Sequence, residues 1–189
     1  MNTRYSIFLL AIAMTCPGAD RAAPPLNHPG SWVETLRSRI PFYGHRNWIV
    51  VADSAYPAQS REGIETLVAD ADQLQVLKEV LFDLSGSKHV TPIVYTDQEL
   101  KFIDEKDAPG ISAYREQLAS LLQNRPVHVL LHEQIISKLD QVSQTFRVLI
   151  IKTKLTLPYT SVFLQLDCAY WNEDAERRLR ETMIHSLSK

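Results

Sequence analysis

Five consecutive apolar residues, Trp48-Ile49-Val50-Val51-Ala52, constrain this chain more than any other stretch. A strand with no polar face cannot lie against water, so it belongs inside a sheet covered on both sides. Arg147 to Lys152 and Val162 to Asp167 read as two more strands, as do Val127 to Leu131 and Pro92 to Tyr95. Helical spacing falls between them. Trp32, Leu36 and Ile40 recur every four residues, and Pro41 marks the end of that helix. Leu74, Leu77, Val80, Leu81 and Leu84 form one face of Ala71 to Leu84, with Gly86 as terminator. Ile111 to Gln123 and Gln134 to Val142 read as two more helices. Strands alternating with helices predict an α/β single domain, with a central mixed sheet of about five or six strands flanked by helices. The turn-rich charged stretch within residues 97–110 reads as a solvated loop.

With 189 residues the chain suffices for one core of ordinary size. Its net charge of −2 leaves no basic surface for nucleic acid. The opening residues stand apart. Arg4 precedes the short apolar run Ile7 to Met14, and small and turn-forming residues follow up to Pro25. That is the layout of a secretory signal, expected over residues 1–23, with a leader over 24–31. The protein is then exported, periplasmic or extracellular. Membrane attachment would require lipid on Cys16, whose preceding Ala13-Met14-Thr15 departs from the usual lipoprotein pattern. With the signal removed only Cys168 remains, so no internal disulfide forms. Cys168 reads as a small core residue.

Polar residues gather at the strand ends, where α/β proteins build sites. His45 precedes the first strand and Asp53 closes it; His132 follows another; Tyr159 follows Pro158 in the loop before the last. Two imidazoles, a carboxylate and a phenol can move protons on a neutral polar substrate. His128 lies four residues before His132, but no third ligand has zinc-like spacing. The candidates thus offer no recognisable metal-ligand set and no phosphate cradle.

The stretch Gly44-His45-Arg46-Asn47-Trp48-Ile49-Val50-Val51-Ala52-Asp53-Ser54-Ala55-Tyr56-Pro57 resembles the opening motif of the D-ribose pyranase and L-fucose mutarotase family. That motif is Gly-His-x-Asp, an apolar strand, then Asp-Ala-x-x-Pro or a close variant. His132-Glu133-Gln134 is similar to a late His-Glu-Gln of the ribose pyranases. Phe146 to Leu164, with its Pro158-Tyr159, resembles the closing segment. The resemblance covers residues 32–168 and implies cofactor-independent interconversion of the cyclic forms of a free monosaccharide such as ribose or fucose. It implies His45 as proton donor, Tyr159 as a second acid, and Asp53, His132, Tyr159 and Ser161 as sugar contacts. It also implies a homo-oligomer, a decameric ring in the family, with sites near subunit interfaces.

The chain departs from the pattern at Asn47, where the family carries aspartate, at Leu155, where it carries glutamate, and at Ser161, where it carries asparagine. These changes leave open a second reading: an inactive sugar-binding or scaffold protein of the same fold. Residues 172–189 extend beyond the family-like domain, expected over 32–171. Glu173 to Leu187 reads as a charged helix whose narrow stripe of Ala175, Leu179, Met183 and Leu187 would pack on its own domain or on a neighbouring subunit.

Overall fold

In the computed structural model, residues 31–187 are described; the expected signal, Cys16 and most of the leader lie outside them. The elements run α1 (Trp32–Arg39), β1 (Trp48–Ala52), β2 (Ile64–Val68), α2 (Gln73–Ser85), β3 (Val90–Asp97), α3 (Ile111–Leu122), β4 (Val127–Leu130), α4 (His132–Val142), β5 (Val148–Lys152), β6 (Val162–Cys168) and α5 (Glu173–Leu187). Short 3-10 turns cover Ile40–Phe42 and Gln98–Phe102. Among the described residues, no helix is long and apolar enough to cross a membrane.

The six strands form one mixed sheet in the order β2-β5-β1-β6-β3-β4. β1 runs parallel to β5 and antiparallel to β6, and β3 runs antiparallel to β6 and parallel to β4. Every residue of β1 is buried, as its apolar run requires. Alternate side chains serve two cores. Ile49, Val51, Leu149, Ile151, Val162 and Leu164 face a core shared with α1, α2 and α3. Trp48, Val50, Val148, Ile150 and Phe163 face Ile135 and Leu139 of α4. Each of those two α4 side chains contributes roughly 1.5–3 kcal/mol by burial, enough to seat the helix.

Three expectations change. The sequence reading gave five strands in detail and missed β2, whose half-exposed Ile64-Glu65-Thr66-Leu67-Val68 carries a weak pattern because it is an edge strand. Its position is fixed instead by β5 and by the ion pair Arg39–Glu65 at 2.8 Å. Residues 97–110 are not a fully solvated loop: Asp97, Leu100 and Ala108 are buried. The helix α5 buries none of its residues, so its stripe does not pack into the domain core. Leu179 and Met183 are each 42% exposed.

Candidate functional site

Register decides which polar residues meet. Val51 pairs with Val162, and Thr96 pairs with Val162 from the other side. Asp97 pairs with Leu130, two residues before His132. Because β6 is antiparallel, its amino end lies at the carboxyl ends of β1, β3 and β4. Asp53, Asp97, His132, Tyr159 and Ser161 therefore collect at one end of the sheet, the end where open α/β sheets take ligands.

Asp53 and Ser161 lock together there. The Ser161 hydroxyl donates to Asp53 Oδ2 at 3.1 Å, and the Ala55 N–H donates to Asp53 Oδ1 at 2.9 Å. Ser161 thus orients the half-buried carboxylate. The preceding residue, Thr160, is clamped from behind. Its carbonyl accepts from Gln73 at 2.5 Å and from the Tyr114 hydroxyl at 2.8 Å, both buried. This network fixes the loop, and it holds Tyr159 in the left-handed region at φ 55°. A tyrosine in that region is strained, a condition that persists where surroundings over-determine the backbone.

The Tyr159 ring stands edge-on to His132, with centroids 5.5 Å apart. His132 Nδ1 lies 3.1 Å from Asp97 Oδ2. The His132 backbone N–H donates to both Glu99 oxygens, at 3.1 and 3.0 Å. Glu99 thereby places an anion on the first turn of α4, where the helix dipole favours one. Asp97 is only 1% exposed, and its Oδ1 has no hydrogen-bond partner among the described residues. Burial pushes its carboxyl up to about 6, against the opposing pull of the neighbouring His132. Glu99 and Asp53 add to the upward push. Tyr56, buried nearby, is driven above its ordinary value by burial and by Asp97.

The fold does not bring His45 to this cluster. His45 sits before the amino end of β1, and the strand alone separates the two ends by about 16 Å. Its Nδ1 lies 3.3 Å from Asp167 Oδ1, with both side chains about half exposed. Asp167 supplies the carboxylate that Asn47 lacks. The Asn47 side chain is committed to the turn, accepting from the Gly44 N–H at 2.8 Å and donating to the Arg147 carbonyl at 3.3 Å. The His45 side opens onto a groove of about 790 Å³ shared with Arg46, Trp171 and Arg180. His128 stacks on Tyr95 at 5.1 Å and takes no part in the cluster. Cys168 is free and half-buried.

Asp97 and Glu99 lie outside the sequence expectation, which ends the strand at Tyr95 and gives the acids after it to a solvated loop. The strand-end rule applied to His132 would have found them, since Thr96-Asp97-Gln98-Glu99 also leaves a strand.

No protein-family model and no curated protein matches the chain. Solved structures do. The structure of Bacillus subtilis RbsD complexed with D-ribose superposes with a TM-score of 0.51 at 18% identity, covering 70% of this chain and 91% of that one. FucU from Bifidobacterium longum scores 0.49 at 16% identity, covering 71% of this chain and 94% of that one. The fucose mutarotase of Streptococcus pneumoniae in complex with L-fucose scores 0.45 at 18% identity, covering 71% and 89%. The RbsD match establishes a ribose pyranase/fucose mutarotase-like fold for this chain. At such identity the likeness is one of fold.

Proposed function

We propose that this protein binds a free monosaccharide at the Asp53–His132–Tyr159–Ser161 end of the sheet and interconverts its cyclic forms without a cofactor. The observation that carries the reading is a carboxylate-paired imidazole beside a tyrosine, at the same end of an RbsD-like sheet as an oriented aspartate. Asp53 and Ser161 hold sugar hydroxyls. His132 takes the anomeric hydroxyl proton as the ring opens, and the ring oxygen is protonated in return. The open aldehyde or ketone then turns and closes again.

His45 enters as proton donor from a neighbouring subunit. The basis is its distance from the cluster in its own chain, together with the ring assembly that the sequence resemblance implies. Outside the cytoplasm, as the leader suggests, the enzyme would act on sugar before or during uptake.

Saturation-transfer NMR on the purified protein tests this with ribose, fucose, galactose and glucose at equilibrium. Exchange between ring forms faster than in buffer, and lost in His132→Ala, supports catalysis. Loss in His45→Ala as well supports the shared site. A folded sample that binds a sugar without accelerating exchange is instead a binding protein, the second reading that the departures at Asn47 and Leu155 leave open.

A further inference from the structure

We propose that Asp97 is a positioning residue for the sugar reaction: it holds the Nδ1–H of His132 and presents Nε2 to the substrate as the proton acceptor. The inference rests on the sugar-interconverting reading and names the device within that site. Nothing in the sequence motifs points to it; it comes from the juxtaposition of β3 and α4.

An ionised carboxylate can only accept a hydrogen bond. With Oδ2 of Asp97 at 3.1 Å, the neutral His132 ring must therefore carry its proton on Nδ1, leaving Nε2 bare. The other Asp97 oxygen engages no donor among the described residues, so the carboxylate is not diverted from the imidazole. Glu99 pins the His132 backbone with two hydrogen bonds, and Tyr159 closes one side of the ring. Ring rotation is thus restrained from the backbone, from Nδ1 and from a flank. The charged and titratable groups around Asp97 come from every neighbouring element: His132 on α4, Glu99 on the 3-10 turn, Asp53 after β1, Tyr56 beyond it, and Tyr114 on α3. Among them only His132 can offer positive charge, so the carboxylate's natural partner is an imidazolium.

The reaction then balances as follows. The anomeric O–H gives its proton to Nε2, and its electron pair forms the carbonyl. The bond from the anomeric carbon to the ring oxygen breaks with its electrons going to that oxygen. The ring oxygen takes a proton from the donor proposed above, His45 of a neighbouring subunit. Asp97 offsets the imidazolium throughout and transfers no proton. Closure on the other face runs the same transfers backward.

The test uses the full-length protein and Asp97→Asn, read by imidazole 15N chemical shifts, by sugar exchange rate and by sugar affinity. In the wild type, neutral His132 is expected as the Nδ1–H tautomer. The Asn variant is expected to populate the Nε2–H form. Its exchange rate should fall by about a hundredfold, within the range acid–base positioning supplies, while affinity stays within about threefold. Adding His132→Gln should lower the rate little further, because the two residues act as one unit. An Nε2–H tautomer in the wild type overturns the proposal without recourse to any variant. So does an unchanged rate in a folded Asn variant. Absence of exchange with every sugar in the wild type would instead defeat the sugar reading, and the tautomer measurement would still report whether Asp97 governs His132.

Discussion

Replacing Asp97 with asparagine is expected to stabilise the fold at neutral pH relative to acid, even as it impairs the site. In the fold the Asp97 carboxyl is pushed from an ordinary 3.8 to about 6, chiefly by burial. A raised folded value means that the neutral acid is the form the fold prefers. Its contribution to stability is therefore complete below about pH 4 and is lost as pH rises to about 6. Lifting a carboxyl by that much corresponds to about 3 kcal/mol of stability given up on ionisation. Asparagine has the same shape and no titration, so it escapes that loss. The difference in unfolding free energy between Asp97→Asn and the wild type should shift in favour of the variant by about 2–3 kcal/mol between pH 4 and pH 7. Urea unfolding followed by tryptophan fluorescence at pH 4, 5, 6 and 7 measures it. A difference that stays flat across this range would refute the reasoning, because it would mean that Asp97 ionises in the fold as easily as in water.

Three further outcomes follow from geometry. A β-carbon on Gly63 would meet the Ser143 carbonyl at 2.9 Å and the Phe146 carbonyl at 3.3 Å, both backbone. Gly63→Ala should thus cost about 1–3 kcal/mol in urea unfolding; a neutral result would show that the α4–β5 corner yields freely. Tyr159 stands at φ 55°, so Tyr159→Gly should be more stable than Tyr159→Ala by about 1 kcal/mol, with sugar exchange lost in both. Equal stabilities would mean that the loop relaxes once the ring is gone. Leu179→Ala on α5 should change unfolding free energy at low protein concentration by less than about 0.5 kcal/mol, since Leu179 is 42% exposed; a larger loss would reveal packing of α5.

The legible parts of this fold were those where one residue class repeats. The apolar runs at Trp48 to Ala52 and Val148 to Ile151 read correctly as strands, the first as one buried on both faces because it leaves no polar position. The amphipathic spacing of α2 and α3 read equally well. Ile64 to Val68 did not, because an edge strand with a glutamate and a threonine resembles a loop until a partner strand is known. The candidate site divides the same way. Asp53, Tyr159 and His132 stand out at strand ends, Ser161 only through the resemblance, and the structure brings the four to one end of the sheet. His45 was grouped with them by sequence spacing, yet eight residues of strand and turn carry a chain away from a point rather than toward it. Asp97 was missed because its burial depends on α4, and no local pattern announces that an acid will lie beneath a helix.

The strand order has a consequence for how this chain is made. β1 is flanked in the sheet by β5 and β6, so both of its neighbours are synthesised at least 95 residues after it. A nascent chain emerging from the ribosome carries that apolar strand without a hydrogen-bonding partner until β5 is out, and with one side still open until β6 follows. Pairings so distant in sequence are slow to form and leave sticky backbone exposed in the interval. Yield in cells should therefore respond to holdase chaperones more than to small gains in final stability.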